Sequence, residues 1–436
     1  MEAWELVDFN PWWSSGSVPT RLLEEKHRAM YGELEKLLRE RQMISIVGLR
    51  RTGKTSLMYQ LMDHLLKQDV PKERILYFSF DRKVHSLNDI VKTYKREILM
   101  EDTLKEQTYF FLDEIQKLDG WEDQIKILYD KRLPLKIVIS GSSSLSLDSG
   151  SKETLAGRIY AKKLSPLSFR EYLDLAGISI PEFTDLEETY RKIEINKEKL
   201  IAQFTRFVRY HGLPETIGMN EELAIMYTRS SLIDQVIYKD IPSNYKLEDP
   251  GILEELLRII AERPGMLLRL EGMASDLSRT RQTISNYIFY LENAFLLYLA
   301  YNYSSSFITS AKKLKKVYFS HPSISYTLNP SKQNLGMLVE NQIVNELDAR
   351  FFHRRRQKEV DIILRYNNSI IPIEVKFKNN LRDDDEKTLR DFLDKEGLEN
   401  GLLVTKNHFD ICGMIKVPAF FFLLYKEDIL KVSSNR

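Results

Sequence analysis

The 436-residue chain has one cysteine, Cys412, so it closes no disulfide within itself, and a thiol-poor chain of this size fits a reducing compartment. It also lacks a membrane-length apolar run: the longest, 417–425, is far short of the ~20 residues that span a bilayer. Its first residues, Met1-Glu2-Ala3-Trp4-Glu5, lack the basic-then-apolar order of a secretory leader. From these absences we expect a cytoplasmic protein with no membrane partner. Net charge is missing too, since 64 lysines and arginines stand against 63 aspartates and glutamates. Overall charge therefore argues neither for nor against a polyanionic partner, and local clusters must decide. There is no low-complexity tract and no internal repeat. What remains, 43% apolar and 29% charged residues, is the composition of an ordinary globular protein too long for one core.

The pattern of apolar runs suggests three domains, 1–165, 166–300 and 301–436. Over 43–47, 75–80, 108–112 and 135–140 the runs are short and nearly unbroken, as in strands buried on both faces. Helical spacing over 56–66, and more weakly over 87–100, falls between them, so the first domain is read as a doubly wound α/β parallel sheet. From 169 to about 260 the pattern is mostly helical, broken at Gly177, Gly212-Leu213-Pro214 and Pro242. Two helices follow over 267–299 around the polar break Ser278-Arg279-Thr280-Arg281, the second spanning 283–299, in helix-turn-helix grammar. After the basic cluster 312–316, strands are expected at 316–319, 360–365, 371–377 and 401–405, with a helix over 336–349. A second α/β unit closes the chain.

The string Gly48-Leu49-Arg50-Arg51-Thr52-Gly53-Lys54-Thr55 satisfies G-x-x-x-x-G-K-[ST] in full, between a buried strand and a helix opening at Ser56. Glycines let main-chain N–H groups wrap phosphates, the helix N-terminus adds a favourable dipole, Lys54 reaches the β- and γ-phosphates, and Thr55 ligates Mg²⁺. The expected cofactor is ATP with Mg²⁺. A second strand ends in Asp113-Glu114, placing Asp113 on the metal side and Glu114 where it would orient and deprotonate a water. A third ends Ile139-Ser140-Gly141-Ser142, with Ser142 the expected γ-phosphate sensor.

These strings, with Phe111-Leu112-Asp113-Glu114-Ile115-Gln116, Leu155-Ala156-Gly157-Arg158 and Pro166-Leu167-Ser168-Phe169-Arg170-Glu171, resemble the archaeal-type AAA+ ATPase family related to the STAND switch NTPases. The likeness runs over most of the chain. It implies that Arg158 is an arginine finger or sensor and that Gly212-Leu213-Pro214, with Pro214, approaches the adenine. Asn10-Pro11-Trp12-Trp13 resembles the stretch preceding the ATPase core, where the two tryptophans are expected to pack in the core.

Toward the carboxy terminus, Val360-Asp361-Ile362-Ile363-Leu364 and Ile373-Glu374-Val375-Lys376 read as a hairpin turning between Asn367 and Asn368. Asp361 and Glu374 are equidistant from that centre, so their Cβ atoms should lie about 5 Å apart on one face, shared with Lys376. Val360, Ile362, Leu364, Ile371, Ile373 and Val375 then form the apolar face. Opposed carboxylates repel, which suggests a divalent cation between them. With Glu340 on an upstream helix, the set resembles the PD-(D/E)xK core, a restriction-endonuclease-like α/β fold. That resemblance implies Asp361, Glu374 and Glu340 as ligands of Mg²⁺ or Mn²⁺, and Lys376 as the residue that polarises water. Arg350, Arg354, Arg355, Arg356 and Lys358 crowd just before Asp361, where they would hold phosphates.

Two functions compete at this level. One is an ATPase whose switching licenses a metal-dependent DNA nuclease in the same chain, with a helical lid and winged helix over 166–300. The other is a STAND-like nucleotide switch that binds DNA or partners, with a catalytically silent nuclease fold. DNA is the expected partner in both, and a homo-oligomer is compatible with either.

Overall fold

The computed structural model describes residues 2–83, 86–141, 155–247, 249–304, 310, 313–332, 334–356, 358–367, 369–382 and 384–434. They form two compact units, Met1–Ser165 and Pro166–Arg436. Among the described residues no helix is long and apolar enough to cross a membrane.

The first unit is built on five parallel strands, β1 (Met43–Val47), β2 (Ile75–Ser79), β3 (Thr108–Asp113), β4 (Leu135–Gly141) and β5 (Ile159–Lys163), in the order β2-β3-β4-β1-β5. The four inner and left-hand strands are buried along nearly their whole length, which is why they read as unbroken apolar runs. β5 escaped the sequence reading. It is an edge strand with mixed exposure, and Lys162 on it pairs with Glu33, so no apolar run marks it. The opposite edge, β2, is capped by the chain's start. Asn10 copies a strand partner there, accepting from the Tyr77 N–H at 2.6 Å and donating to the Tyr77 carbonyl at 2.9 Å. Trp12 and Trp13 are buried and both indole N–H groups donate to the Ile75 carbonyl, at 3.0 and 2.9 Å. They are core residues that also satisfy an edge-strand carbonyl.

The second unit opens with the Phe169–Leu175 helix, started by a Ser168/Glu171 capping box, followed by Leu186–Glu194, Lys197–Tyr210, Glu221–Tyr227 and Gly251–Glu262. Then come β6 (Met266–Leu267), helices Leu270–Asp276 and Arg281–Asn293, β7 (Leu297–Asn302) and β8 (Lys316–Phe319). β8 lies between β7 and β6, antiparallel to both. The helix expected over 283–299 is shorter than predicted. Phe295 turns left-handed at φ 56°, and the apolar residues beyond it continue as β7. A strand buried along its length carries no polar alternation to distinguish it from helix.

The remaining strands are β9 (Phe351–Arg355), β10 (Lys358–Val360), β11 (Ile362–Tyr366), β12 (Ser369–Lys376), β13 (Leu402–Thr405) and β14 (Ile415–Pro418). They divide between two sheets, β10-β9-β7-β8-β6 and β11-β12-β13-β14. Because β7 pairs with β9, residues on both sides of position 300 share one sheet, and one core cluster runs from Leu167 to Leu430. The β11–β12 register pairs Ile362 with Ile373, the pairing implied by a turn centred after Asn367; Asn368 lies outside the described residues. One face assignment needs correction. Val360 does not join Ile362, Ile371 and Ile373 in the main core but packs with Ile363, Leu389 and Phe392. Asp361 is a bend where the chain passes from one sheet to the other, and the bend resets the side-chain alternation.

Candidate functional site

In the first unit the chain leaves β1 at Gly48, whose φ is 155° and where a Cβ would sit 2.3 Å from the Leu164 carbonyl oxygen. Only glycine lets the loop pass that backbone. Arg51 and Gly53 follow with φ of 65° and 95°, aiming the loop into the Lys54–Lys67 helix. Thr52 is fully buried, its hydroxyl donating to the Leu49 carbonyl at 2.9 Å, and Arg28 ties its guanidinium to the Thr52 and Ser165 carbonyls. The loop is thus braced from behind. Lys54 is buried, its ammonium donating to the Gly48 and Leu49 carbonyls at 3.1 and 3.0 Å. Nothing lies within 4 Å of the position a Gly53 Cβ would take, so the space over the helix N-terminus is open. Arg50 and Ser56 flank it, half-buried.

Asp113, at the end of β3, is the hub. Its Oδ2 accepts from the Thr55 hydroxyl at 2.8 Å and from the Tyr77 hydroxyl at 2.9 Å, and its Oδ1 from the Ser140 hydroxyl. Burial, and then the Asp113 charge, hold the Tyr77 phenol well above its ordinary pKa, so it serves only as a donor. Glu114 follows in a left-handed conformation, φ 53°, with its carboxylate accepting from Gln116 Nε2 at 2.6 Å and its main-chain N–H donating to Ser140 Oγ at 3.3 Å. Gly48, Lys54, Thr55, Asp113 and Glu114 are therefore gathered at one edge of one sheet. Ser142 lies outside the described residues. Tyr77 and Ser140 were not anticipated as site residues, and their only signal was a hydroxyl near the end of a buried strand.

Arg158 is not part of this gathering. Its carbonyl accepts from the Met43 N–H, at the start of β1, and its guanidinium pairs with Asp130 at 3.0 Å. The loop leaves β1 at its other end, about 16 Å away for five residues at the ~3.3 Å strand rise. A sensor role within its own chain is corrected by this placement; a finger acting on a second copy is not touched by it. Pro214 belongs to the second unit, where Gly212 packs so closely that a Cβ would lie 2.4 Å from His321 Nδ1.

The second unit assembles the carboxylates of the β11–β12 hairpin. Val375 N–H donates to Asp361 Oδ2 at 2.9 Å, Asp361 N–H to Glu374 Oε2 at 3.4 Å, and the Lys376 ammonium pairs with Glu374. Burial, then repulsion from Asp361, lifts the Glu374 carboxyl to about 8 against the opposing pull of Lys376. Glu340, on the Leu335–Glu346 helix, meets a different partner. Its Oε1 accepts from the Lys316 ammonium at 3.1 Å and the Tyr318 hydroxyl at 2.8 Å. Lys316 also pairs with Glu359 at 2.7 Å and Asp361 at 3.7 Å. Burial opposes its charge, but Tyr318, Glu340, Asp361 and Glu359 outweigh burial and hold its pKa well above the ordinary lysine value. Among the described residues no group of three or more His, Cys, Asp or Glu is arranged to hold a metal ion. Glu340, Asp361 and Glu374 are brought near one another without converging as a ligand set: Lys316 pairs with the first two and Lys376 with the third.

The basic residues before Asp361 are partly spent on local pairs, Arg350 with Asp348 at 3.3 Å, Arg354 with Glu359 at 3.1 Å, and Lys358 with Asp391. Even so, Arg354, Arg355, Arg356, His353 and Lys313 line a cleft of about 500 Å³ between the β9–β10 hairpin and the segment joining β7 to β8.

Residues 40–173 match the family model described as AAA domain, while 201–335 and 335–413 match two domains of unknown function, DUF8612 and DUF4143. With its loop geometry and five parallel strands, the first unit is an AAA-type P-loop domain. An uncharacterized protein of Haemophilus influenzae is 26% identical over 76% of this chain and 82% of its own length. Two uncharacterized proteins of Methanocaldococcus jannaschii are 25% identical (78% and 76%) and 29% identical (61% and 58%). Among solved structures, the Orc1 protein of Aeropyrum pernix in complex with DNA aligns at 12% identity and TM-score 0.30, over 76% of this chain and 96% of that one. AMPPCP-bound DnaA from Aquifex aeolicus aligns at 16% and 0.26, over 60% and 86%.

Proposed function

We propose that this protein binds and hydrolyses ATP and uses the nucleotide state to control its second unit, which acts on DNA. The observation that carries the first half is the Thr55–Asp113 contact at 2.8 Å beside a buried Lys54. A helix hydroxyl and a strand-end carboxylate within hydrogen-bond reach fit an Mg²⁺ shared with phosphate, and the open space at Gly53 fits the phosphates themselves. Bound Mg²⁺–ATP would supply a charged, transferable γ-phosphoryl group. The chain's own residues do the rest. Lys54 exchanges two loop carbonyls for phosphate oxygens, Tyr77 and Ser140 hold Asp113 in its rotamer, and Glu114, once released by Gln116, takes a proton from water. Purified protein should turn over ATP with Mg²⁺, and Lys54→Ala should lose nucleotide binding; a Lys54→Ala chain that binds ATP like the parent would refute the reading.

Support for DNA as partner comes from the arginine-lined cleft and from the segment 251–319. There, three helices and the strands β6, β7 and β8 follow one another in the order of a winged helix. Pocket charge of this kind holds phosphates with a salt-dependent affinity. Tyr287, Ile288 and Leu291 of the Arg281–Asn293 helix are buried, so backbone contact is favoured over base reading.

For the hairpin site, the juxtaposition of Asp361, Glu374 and Lys376 favours a nuclease-like fold of the PD-(D/E)xK kind, with a sheet of one antiparallel and two parallel pairs. Divalent-metal chemistry is not supported by the arrangement as it stands, because Lys316 pairs with Glu340 and Asp361 and Lys376 pairs with Glu374. We therefore place the nucleotide-controlled switch ahead of the nuclease. Incubating the protein with linear and branched DNA, Mn²⁺ and ATP distinguishes them: cleavage lost in Lys376→Ala would reverse that order.

A further inference from the structure

We propose that the Lys316 ammonium is the resident cation of the Glu340–Glu359–Asp361–Glu374 cluster, and that a divalent ion enters only when the β8 strand withdraws it. The proposal rests on the nuclease-like reading of the β11–β12 hairpin and adds a competitor for its cation.

Lysine is an unusual first residue for a buried four-residue strand. Its side chain is 4% exposed, and its ammonium reaches three carboxylates at 2.7, 3.1 and 3.7 Å. The ammonium also lies over the Tyr318 and Phe352 rings, 5.9 and 5.4 Å from their centroids, within cation–π reach of both. The carboxylates come from separate elements, Glu340 from a helix, Glu359 from β10, Asp361 from the sheet-switching bend and Glu374 from β12. The four carboxylates meet three cations, Lys316, Lys376 and Arg354, the last reaching Glu359 at 3.1 Å, and Lys316 alone touches three of the four. A purely structural lysine would need one partner; this one sits at a meeting of several, as a metal would. Lys316 also starts β8, whose other neighbours, β7 and β6, belong to the 251–319 segment proposed to touch DNA. Any shift of that strand along its sheet would move the ammonium with it.

The test is a calorimetric titration of the full chain with Mn²⁺ alone, without nucleotide, in the parent, Lys316→Met and Lys316→Gln proteins, each repeated with Asp361→Asn. In the parent, Asp361→Asn should leave Mn²⁺ binding unchanged. Lys316→Met should acquire Asp361-dependent binding at least about tenfold tighter, the size expected when a buried competing charge is removed. It should also unfold at a lower temperature in EDTA and recover with Mn²⁺. Lys316→Gln, which keeps a polar head in the same place but drops the charge, should show a gain in the same direction and guards against a methionine variant that fails to fold. Asp361-dependent binding already present in the parent overturns the proposal, whether or not Lys316→Met folds. So does a folded Lys316→Met or Lys316→Gln whose Mn²⁺ binding equals that of the parent. DNA cleavage separates the two readings. If Lys316→Met binds Mn²⁺ and cuts nothing, the nuclease reading fails and the competitor stands; if the parent cuts DNA with Mn²⁺ through Asp361 and Lys376, the competitor fails and the nuclease stands.

Discussion

Replacing Glu374 by Gln probes the hairpin site through stability alone. The parent carboxyl is almost wholly enclosed, faces Asp361, and titrates near 8 in the folded chain instead of at the ordinary 4.5. Its stabilising contribution is therefore complete below the unfolded value and is lost as pH rises through about 8, because the folded site resists the ionisation that the unfolded chain accepts. At roughly 1.4 kcal/mol per pKa unit, the parent should lose at most about 3 kcal/mol between pH 6 and pH 9 through this one group. Glutamine keeps the shape and cannot ionise, so Glu374→Gln should escape that loss. Other groups titrate in both proteins and cancel in the difference. Urea unfolding in EDTA at the two pH values, followed by a second-unit probe, gives the difference directly. Stability profiles that run parallel from pH 6 to pH 9 would show that Glu374 is already ionised in the fold, and the picture of a carboxyl kept protonated by burial and by Asp361 would be wrong.

Glu114→Gln should retain ATP binding while turnover falls roughly 10² to 10⁴-fold, the usual worth of a general base, as measured by steady-state phosphate release. Gly48→Ala should weaken the first unit by about 1–3 kcal/mol and lose nucleotide, since its methyl meets a backbone oxygen and not a movable side chain; thermal melts with and without ATP check both. Trp12→Ala should cost roughly 3–5 kcal/mol of first-unit stability in denaturant titration, chiefly from the lost buried side chain, since Trp13 still donates to the Ile75 carbonyl. Arg158→Ala should leave turnover per chain unchanged at dilutions where the protein is monomeric; a deficit there would mean that Arg158 reaches its own phosphates after all.

The phosphate loop and the strand-end acids were legible because each is a local grammar. A glycine turn, a lysine and a hydroxyl at the head of a helix act within one turn of chain, and unbroken apolar runs announce strands covered on both faces. The Asp361–Glu374 pairing was legible for the same reason, being arithmetic on one hairpin. Edge and boundary features were not. β5 has no apolar run because it is an edge, and the end of the Arg281–Asn293 helix is hidden because β7 opens on an unbroken apolar run, 297–301.

Partnership across sequence distance was decided only by the tertiary structure. The sequence by itself determined that this chain carries a nucleotide loop, that Asp113 and Glu114 end a buried strand, and that two carboxylates oppose each other near the carboxy terminus. Folding decided that Tyr77, Ser140 and Thr55 converge on Asp113, and that Arg158 lies at the far edge of its sheet. It also decided that Lys316, at the end of a run of surface-looking lysines, turns inward. The reason is physical: charge neutralisation acts over a few ångströms of space and is indifferent to separation along the chain, so only the packed arrangement of β8, β10, β12 and the Leu335–Glu346 helix reveals which ammonium faces which carboxylate.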